Sequence, residues 1–152
     1  MALSTTQSIW RSGGGDQTRT AYCGSGMMAA QFYIADASAS GNVKVSSASG
    51  APALILPTGA VVVSVCVNDA GAGAIDLGTT GVSSGTATPE AIANALSVAS
   101  VGTTSIGSAV TGTAIAELSY VTTRDNSTTA SGTVGGYIIY FVADPLVGQQ
   151  NV

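Results

Sequence analysis

The residues that could carry out chemistry are few and lie far apart in this sequence. Histidine is absent, and Glu117 lies in a predicted strand without a partner carboxylate, which favours charge at a sheet edge over a general acid. Metal catalysis needs clustered ligands, and histidine-assisted nucleophilic attack needs an imidazole base. Four aspartates are instead spread over predicted loops and strand ends: Asp69, Asp76, Asp125 and Asp144. The sequence therefore predicts no enzyme.

The patterns that could bind a ligand have simpler structural interpretations. Gly13-Gly14-Gly15 lacks the following lysine of a phosphate loop, so we interpret it as a flexible segment. A calcium site at Asn68-Asp69 or Asp125-Asn126 is an alternative that would need several further convergent oxygens, and the second pair is more often a turn former. We expect neither a cofactor nor a metal. An alternative use of the aromatic residues, a sugar-binding face, would combine Tyr120, Tyr137 and Tyr140.

The two cysteines, Cys23 and Cys66, are too few for a disulfide framework. Cys66 falls inside a predicted strand, where we expect a buried, unreactive thiol. Cys23 lies in a glycine-rich segment. Since no basic and apolar leader precedes them, we expect a reducing compartment, in which a disulfide between the two is disfavoured.

The elements that would position these residues are organised around the stretch from Leu54 to Asp69. Pro57-Thr58-Gly59 predicts a tight turn, because proline presets φ and glycine tolerates positive φ. A strand with a period of two residues follows. Its first face is wholly apolar and must be covered, so we predict that these residues form the core together with Ile139 and Phe141 of the last strand: Val61, Val63, Val65 and Val67. Its second face is small and mixed.

Further strands are predicted on both sides of this stretch, because short β-branched or alternating runs are separated by turn residues. The predicted strands are Phe32–Ile34, Val43–Ser46, Leu54–Leu56, Ile75–Gly78, Ala114–Thr122 and Thr133–Val142. In the last of these, both faces carry apolar side chains, which predicts a strand covered on both sides.

One helix is predicted, over Thr88–Leu96. Thr88 is a suitable N-cap, Pro89 occupies the first helical position, and Glu90 complements the positive end of the helix dipole. The apolar residues of this segment recur at helical spacing, which predicts two turns lying on a sheet.

These elements predict an all-β protein, an antiparallel, jelly-roll-like β-sandwich with one short helix. We divide the chain into an extended N-terminal arm (1–30), the β-sandwich domain (31–145) and a C-terminal tail (146–152). Large side chains are sparse in the arm, and we expect them to dock onto another chain. The predicted anchors are Trp10, Arg11, Arg19 and Tyr22.

The composition narrows the possible partners. Charged residues make up 8% of the chain and the net charge is −4, without a basic cluster, so nucleic-acid binding is not expected. No apolar run is long enough for a membrane helix, and no membrane partner is expected. A surface so poor in charge favours permanent packing against other chains.

Three segments together resemble the small β-rich virion proteins of tailed bacteriophages, which include head decoration (cement) and head-fibre proteins. The segments are Leu56–Val65 (Leu-Pro-Thr-Gly-Ala-Val-Val-Val-Ser-Val), Ile75–Thr79 (Ile-Asp-Leu-Gly-Thr) and Gly136–Val142 (Gly-Tyr-Ile-Ile-Tyr-Phe-Val). The similarity extends over about Phe32 to Val142. It assigns no catalytic residue to any position.

The resemblance implies a structural protein of the capsid surface, assembled in the host cytoplasm. Such a protein is a homotrimer that binds the major capsid protein lattice from outside and stabilises the head. The residues of the arm would then contact the capsid or a neighbouring subunit. The alternative is a receptor- or carbohydrate-binding module of a head fibre or tail.

Overall fold

The structure is a computed structural model that describes residues 27–126 and 129–142. These residues are all-β and contain no helix. They therefore include no helix that could cross a membrane. They form nine strands: β1 (Met28–Ile34), β2 (Val43–Lys44), β3 (Ile55–Leu56), β4 (Ala60–Asp69), β5 (Ala74–Gly81), β6 (Ala87–Ser97), β7 (Gly102–Ser105), β8 (Ser119–Asp125) and β9 (Val134–Val142).

The strands form two antiparallel sheets. The first has the order β1-β9-β4-β7, and the second has the order β2-β8-β5-β6 with β3 also paired to β8. Buried apolar side chains from both sheets form one hydrophobic cluster, with its largest members from β1, β3, β5, β6 and β9: Phe32, Leu56, Ile75, Leu77, Ile92, Leu96 and Ile138.

The predicted turn before β4 is confirmed. Gly59 has a φ of 80°, and the amide of Ala60 donates to the carbonyl of Pro57 at 3.2 Å. This turn directs β4 into the middle of the first sheet, between β9 and β7.

The predicted core face of β4 is wrong over its first half. Val65 and Val67 are buried as predicted, but Val61 and Val63 are only half-buried, and Val62 is buried instead. Val62 pairs with Tyr140 and Ser64 with Ile139, so Val63 is an extra residue without a partner on β9. A bulge of one residue reverses which side chains face the core, because the side-chain period of a strand is two.

The prediction for β9 fails for a related reason. Ile139 and Phe141 are half-buried rather than part of the core, and the strand is not covered on both sides, since Tyr137 is 39% exposed. Ile138 occupies the core instead. Phe141 pairs with Val61, so the outward residues of β9 lie beside the outward residues of β4.

The predicted helix over Thr88–Leu96 is also wrong, because the whole segment belongs to β6. Leu77 pairs with Ala93 and Thr79 with Thr88, so β6 bulges strongly opposite β5. The apolar spacing from Ile92 to Leu96 fits both periods, since residues four apart also share one face of a strand. Pairing with β5 therefore overrides the local capping signals.

A buried carboxylate joins the strands of the second sheet. Asp76 on β5 accepts hydrogen bonds from the Ala95 amide (2.9 Å), the Asn126 side chain (2.6 Å) and the Nε of Arg124 (2.9 Å). Arg124 on β8 also forms an ion pair with Glu90 on β6 at 2.8 Å. Ala95 has a φ of 52°, and the bond to Asp76 satisfies its amide in this strained conformation.

Two opposing effects act on the pKa of Asp76. Burial raises it, but the hydrogen bonds from Ala95, Arg124 and Asn126 and the charge of Arg124 favour the carboxylate more strongly. The pKa therefore lies below the ordinary value of 3.8. Asp76 is ionised in the folded protein at neutral pH and holds three strands through its charge.

Replacing this carboxylate tests its contribution to stability. We expect Asp76→Asn to lower the free energy of unfolding by about 3 kcal/mol, because it removes the buried anionic partner of Arg124. The side-chain NH₂ of the new asparagine would also face donors where the carboxylate accepted hydrogen bonds. Denaturant unfolding followed by far-UV circular dichroism measures this loss. The control is Glu90→Gln, which removes the exposed partner of the same arginine and should cost about 1 kcal/mol or less. Equal losses would contradict a special role for Asp76.

The depressed pKa of Asp76 predicts how stability depends on pH. Its contribution is complete above the ordinary carboxyl pKa of 3.8 and is lost as the pH falls through the lower pKa of the folded state. The stability difference between the unmodified chain and Asp76→Asn should therefore begin to shrink only below about pH 5 and should shrink further as the pH falls through 3.8. Unfolding curves at a series of pH values measure it. A difference that stays constant would show that Asp76 does not act through its charge.

The bulge at Val63 predicts unequal effects of the same substitution on neighbouring valines. Val65→Asp should unfold the protein, because an unpaired charge in the core costs several kcal/mol against a total stability of about 5 to 15. Val63→Asp should leave a folded protein, since its side chain lies on the outer face. Thermal melts of both variants compare them. The reverse order would place Val63 in the core.

Candidate functional site

A groove with a volume of about 560 Å³ lies beside β5 and β6. One wall is formed by these strands, and the opposite wall is the segment from Thr113 to Ser119. The lining combines small apolar residues, such as Ala91 and Ile115, with two carboxylates and several hydroxyls: Glu90, Glu117, Thr79, Thr86, Thr88 and Thr113. We call this site the threonine groove.

Backbone bonds to β4 hold the second wall of the threonine groove. The amide of Ile115 donates to the carbonyl of Ala60 at 2.9 Å, and the amide of Gly59 donates to the carbonyl of Ile115 at 2.8 Å. The predicted strand Ala114–Thr122 therefore begins later than expected, at Ser119, because residues 114 and 115 pair with the start of β4 instead.

Glu117 projects into the space that Gly81 leaves open. Its carboxylate accepts a hydrogen bond from the Ser84 hydroxyl. A Cβ atom at Gly81 would collide with the side chains of both Glu117 and Ser84, so a larger residue there would displace them from this arrangement. The half-buried carboxylate that we interpreted as edge charge thus lines a concave site.

Glu90 reaches the groove from the bulged part of β6. Its carboxylate accepts hydrogen bonds from Arg124 at 2.8 Å and from Asn94 at 2.9 Å. Arg124 is itself held by Asp76, so the buried ion pair of the second sheet sets the orientation of this carboxylate. The ion pair between Asp76 and Arg124 therefore both stabilises the wall formed by β5 and β6 and orients Glu90 in the threonine groove.

The lining of the threonine groove can bind polar, uncharged or cationic groups. Its carboxylates accept hydrogen bonds, and its threonine hydroxyls both donate and accept. No thiol or basic side chain lines it. Across residues 27–126 and 129–142, no three histidine, cysteine, aspartate or glutamate residues are grouped to hold a metal ion. Asn126 and Asp125 instead bond within the protein, to Asp76 and to the Ala130 amide.

The structure does not bring the three tyrosines of the alternative sugar-binding face together. Tyr120 belongs to the second sheet, where the Lys44 ammonium lies 3.8 Å from its ring centroid. Tyr140 packs against the core, whereas Tyr137 is on the outer face of β9. Residues three apart in a strand point to opposite faces, so Tyr137 and Tyr140 lie on different sides of the sheet.

The outer side of the first sheet carries a second surface of interest. Half-buried and exposed side chains of β4 and β9 lie next to each other there, and we call this group the open face: Val61, Val63, Cys66, Tyr137, Ile139 and Phe141. Cys66 is a free, half-buried thiol on this face, not a core residue as predicted. Five residues that were predicted to be buried therefore belong to a surface patch together with Tyr137: Val61, Val63, Cys66, Ile139 and Phe141.

The predicted anchors of the arm lie outside the described residues: Trp10, Arg11, Arg19 and Tyr22. Gly13-Gly14-Gly15, Cys23 and Asp144 lie outside them as well. The sequence patterns missed the threonine groove, since its two carboxylates lie 27 residues apart along the chain. The one available signal is the clustering of threonines around residues 86–88 and 111–113.

Comparisons with protein-family models, with curated proteins and with solved structures found no match to this chain.

Proposed function

We propose that the protein is a structural component of a phage virion, a capsid decoration protein. The two antiparallel sheets and their shared core are typical of a β-sandwich, for which we propose a jelly-roll-like arrangement. The observation that carries the proposal is the open face, an uncharged, mostly apolar and half-buried surface on a chain in which only 8% of residues are charged. Such a surface favours permanent contact with other chains.

In this proposal the protein acts by binding alone. Copies associate, as a homotrimer, on the outside of the major capsid protein lattice and link neighbouring capsid subunits. Each copy contributes a weak contact, and several linked contacts raise the overall avidity by about 10² to 10⁴. The arm residues Trp10 and Tyr22 are proposed as anchors, because aromatic residues carry a large share of binding energy at interfaces.

Co-sedimentation with capsids tests this function. The full chain, mixed with heads assembled from the major capsid protein of the same genome, should sediment with them at saturable occupancy. Trp10→Ala should reduce the affinity at least about tenfold, because it removes a proposed hot spot. Val101→Ala is the control, since Val101 is exposed and lies outside both the arm and the open face. Absence of binding by the unmodified chain would refute the proposal.

A second candidate function, glycan binding, is favoured by the threonine groove. Carboxylate acceptors and hydroxyls that line one groove suit the hydroxyl groups of a sugar, and the volume of about 560 Å³ suits a small oligosaccharide. In this case the protein is a receptor-binding module of a head fibre or tail. The groove, and not the separated tyrosines, is then the binding site.

A glycan array screened with the full chain tests the second function. Any glycan that binds should bind at least about tenfold more weakly to Glu117→Gln, because a charge-assisted hydrogen bond is lost. Asp69→Asn is the matched control, since this exposed carboxylate lies at the end of β4, away from the groove. An array without hits, or equal binding by both variants, would count against this function.

A further inference from the structure

We infer that the open face is the surface through which copies of this chain associate. The inference rests on the self-association included in the proposed function, and it assigns that association to Val61, Val63, Tyr137, Ile139 and Phe141. The occupant of the face is a second copy of the chain.

The layout of the face resembles that of a protein interface. Phe141 pairs with Val61 and Ile139 with Ser64, which places apolar side chains around one serine in the middle of the sheet. Polar, uncharged residues flank them on the outer strands, with Gln31 of β1 beside Tyr137 and Thr103 of β7 beside Cys66. An apolar centre with aromatic residues and a polar rim is typical of a specific protein interface.

Charge favours a second copy as the occupant. The chain has a net charge of −4, so identical copies repel each other wherever acidic surfaces meet. The outward residues of the four strands in the first sheet include no charged side chain before Asp69, which ends β4 at the border of the face. Glu90 and Glu117 line the threonine groove at the second sheet. Two copies can therefore meet through their open faces without opposing carboxylates.

The assembly state of the isolated chain is the first test. Light scattering coupled to size-exclusion chromatography should give a multiple of the chain mass. Ile139→Glu and Tyr137→Lys should each weaken association at least about tenfold, because each introduces an unpaired charge into the contact. Tyr137 is 39% exposed, so Tyr137→Lys keeps the test valid if Ile139→Glu fails to fold. Leu118→Glu is the matched control, since Leu118 is 48% exposed outside this face and its variant should assemble normally.

The thiol of Cys66 supplies a readout that needs no substitution in the face. In a Cys23→Ser chain, labelling of Cys66 by an aromatic disulfide reagent should slow down as the protein concentration rises, because association covers the thiol. The same chain carrying Leu118→Glu should show the same dependence.

Three results would overturn the inference. They are a monomeric chain, an assembly that both open-face variants leave unchanged, and Cys66 labelling that does not depend on concentration. Head binding by a monomeric chain that Tyr137→Lys abolishes would assign the face to the capsid protein instead. That outcome would leave the proposed decoration function standing while refuting self-association through this surface, so the two failures are distinguishable.

Discussion

The second sheet depends on the ionised, buried carboxylate of Asp76. A carboxylate without partners would be costly at this position, but Asp76 accepts hydrogen bonds from side chains or amides on β6, β8 and the residue that follows β8. One of these donors is the amide of Ala95, which has a φ of 52° at a bulge of β6. The buried charge thereby holds an irregular strand in place, and through Arg124 it also orients Glu90 in the threonine groove.

The parts of the fold that the sequence predicts are those with local signals. The Pro57-Thr58-Gly59 turn, the strand after it and the closing strand are set by residue types within a few positions of one another. The bulge at Val63 has no such signal, because it arises where β4 pairs with β9. A single unpaired residue moved half of the predicted valine face out of the core, and Ile139 and Phe141 lie beside it on the same side.

The threonine groove and the wrongly predicted helix also depend on pairing between residues far apart in the sequence, which local patterns do not predict. The segment that begins at Thr88 satisfies the local rules for a helix start, yet its partners for hydrogen bonding lie on β5 and in residues 109–111. The pair of Asp76 and Arg124 is separated by 48 residues, and no spacing rule connects residues at that distance. Sites formed by long-range pairing are therefore the part of this protein that pattern analysis misses.

The apolar character of the open face is not required for folding. Folding requires apolar side chains only on the inner side of the sheet, where Val62, Val65 and Ile138 already supply the core. Threonine also suits an outer strand position, and this chain uses it freely elsewhere. Folding alone does not explain Phe141 and Ile139 on the outer side, whereas the proposed association through the open face would account for them.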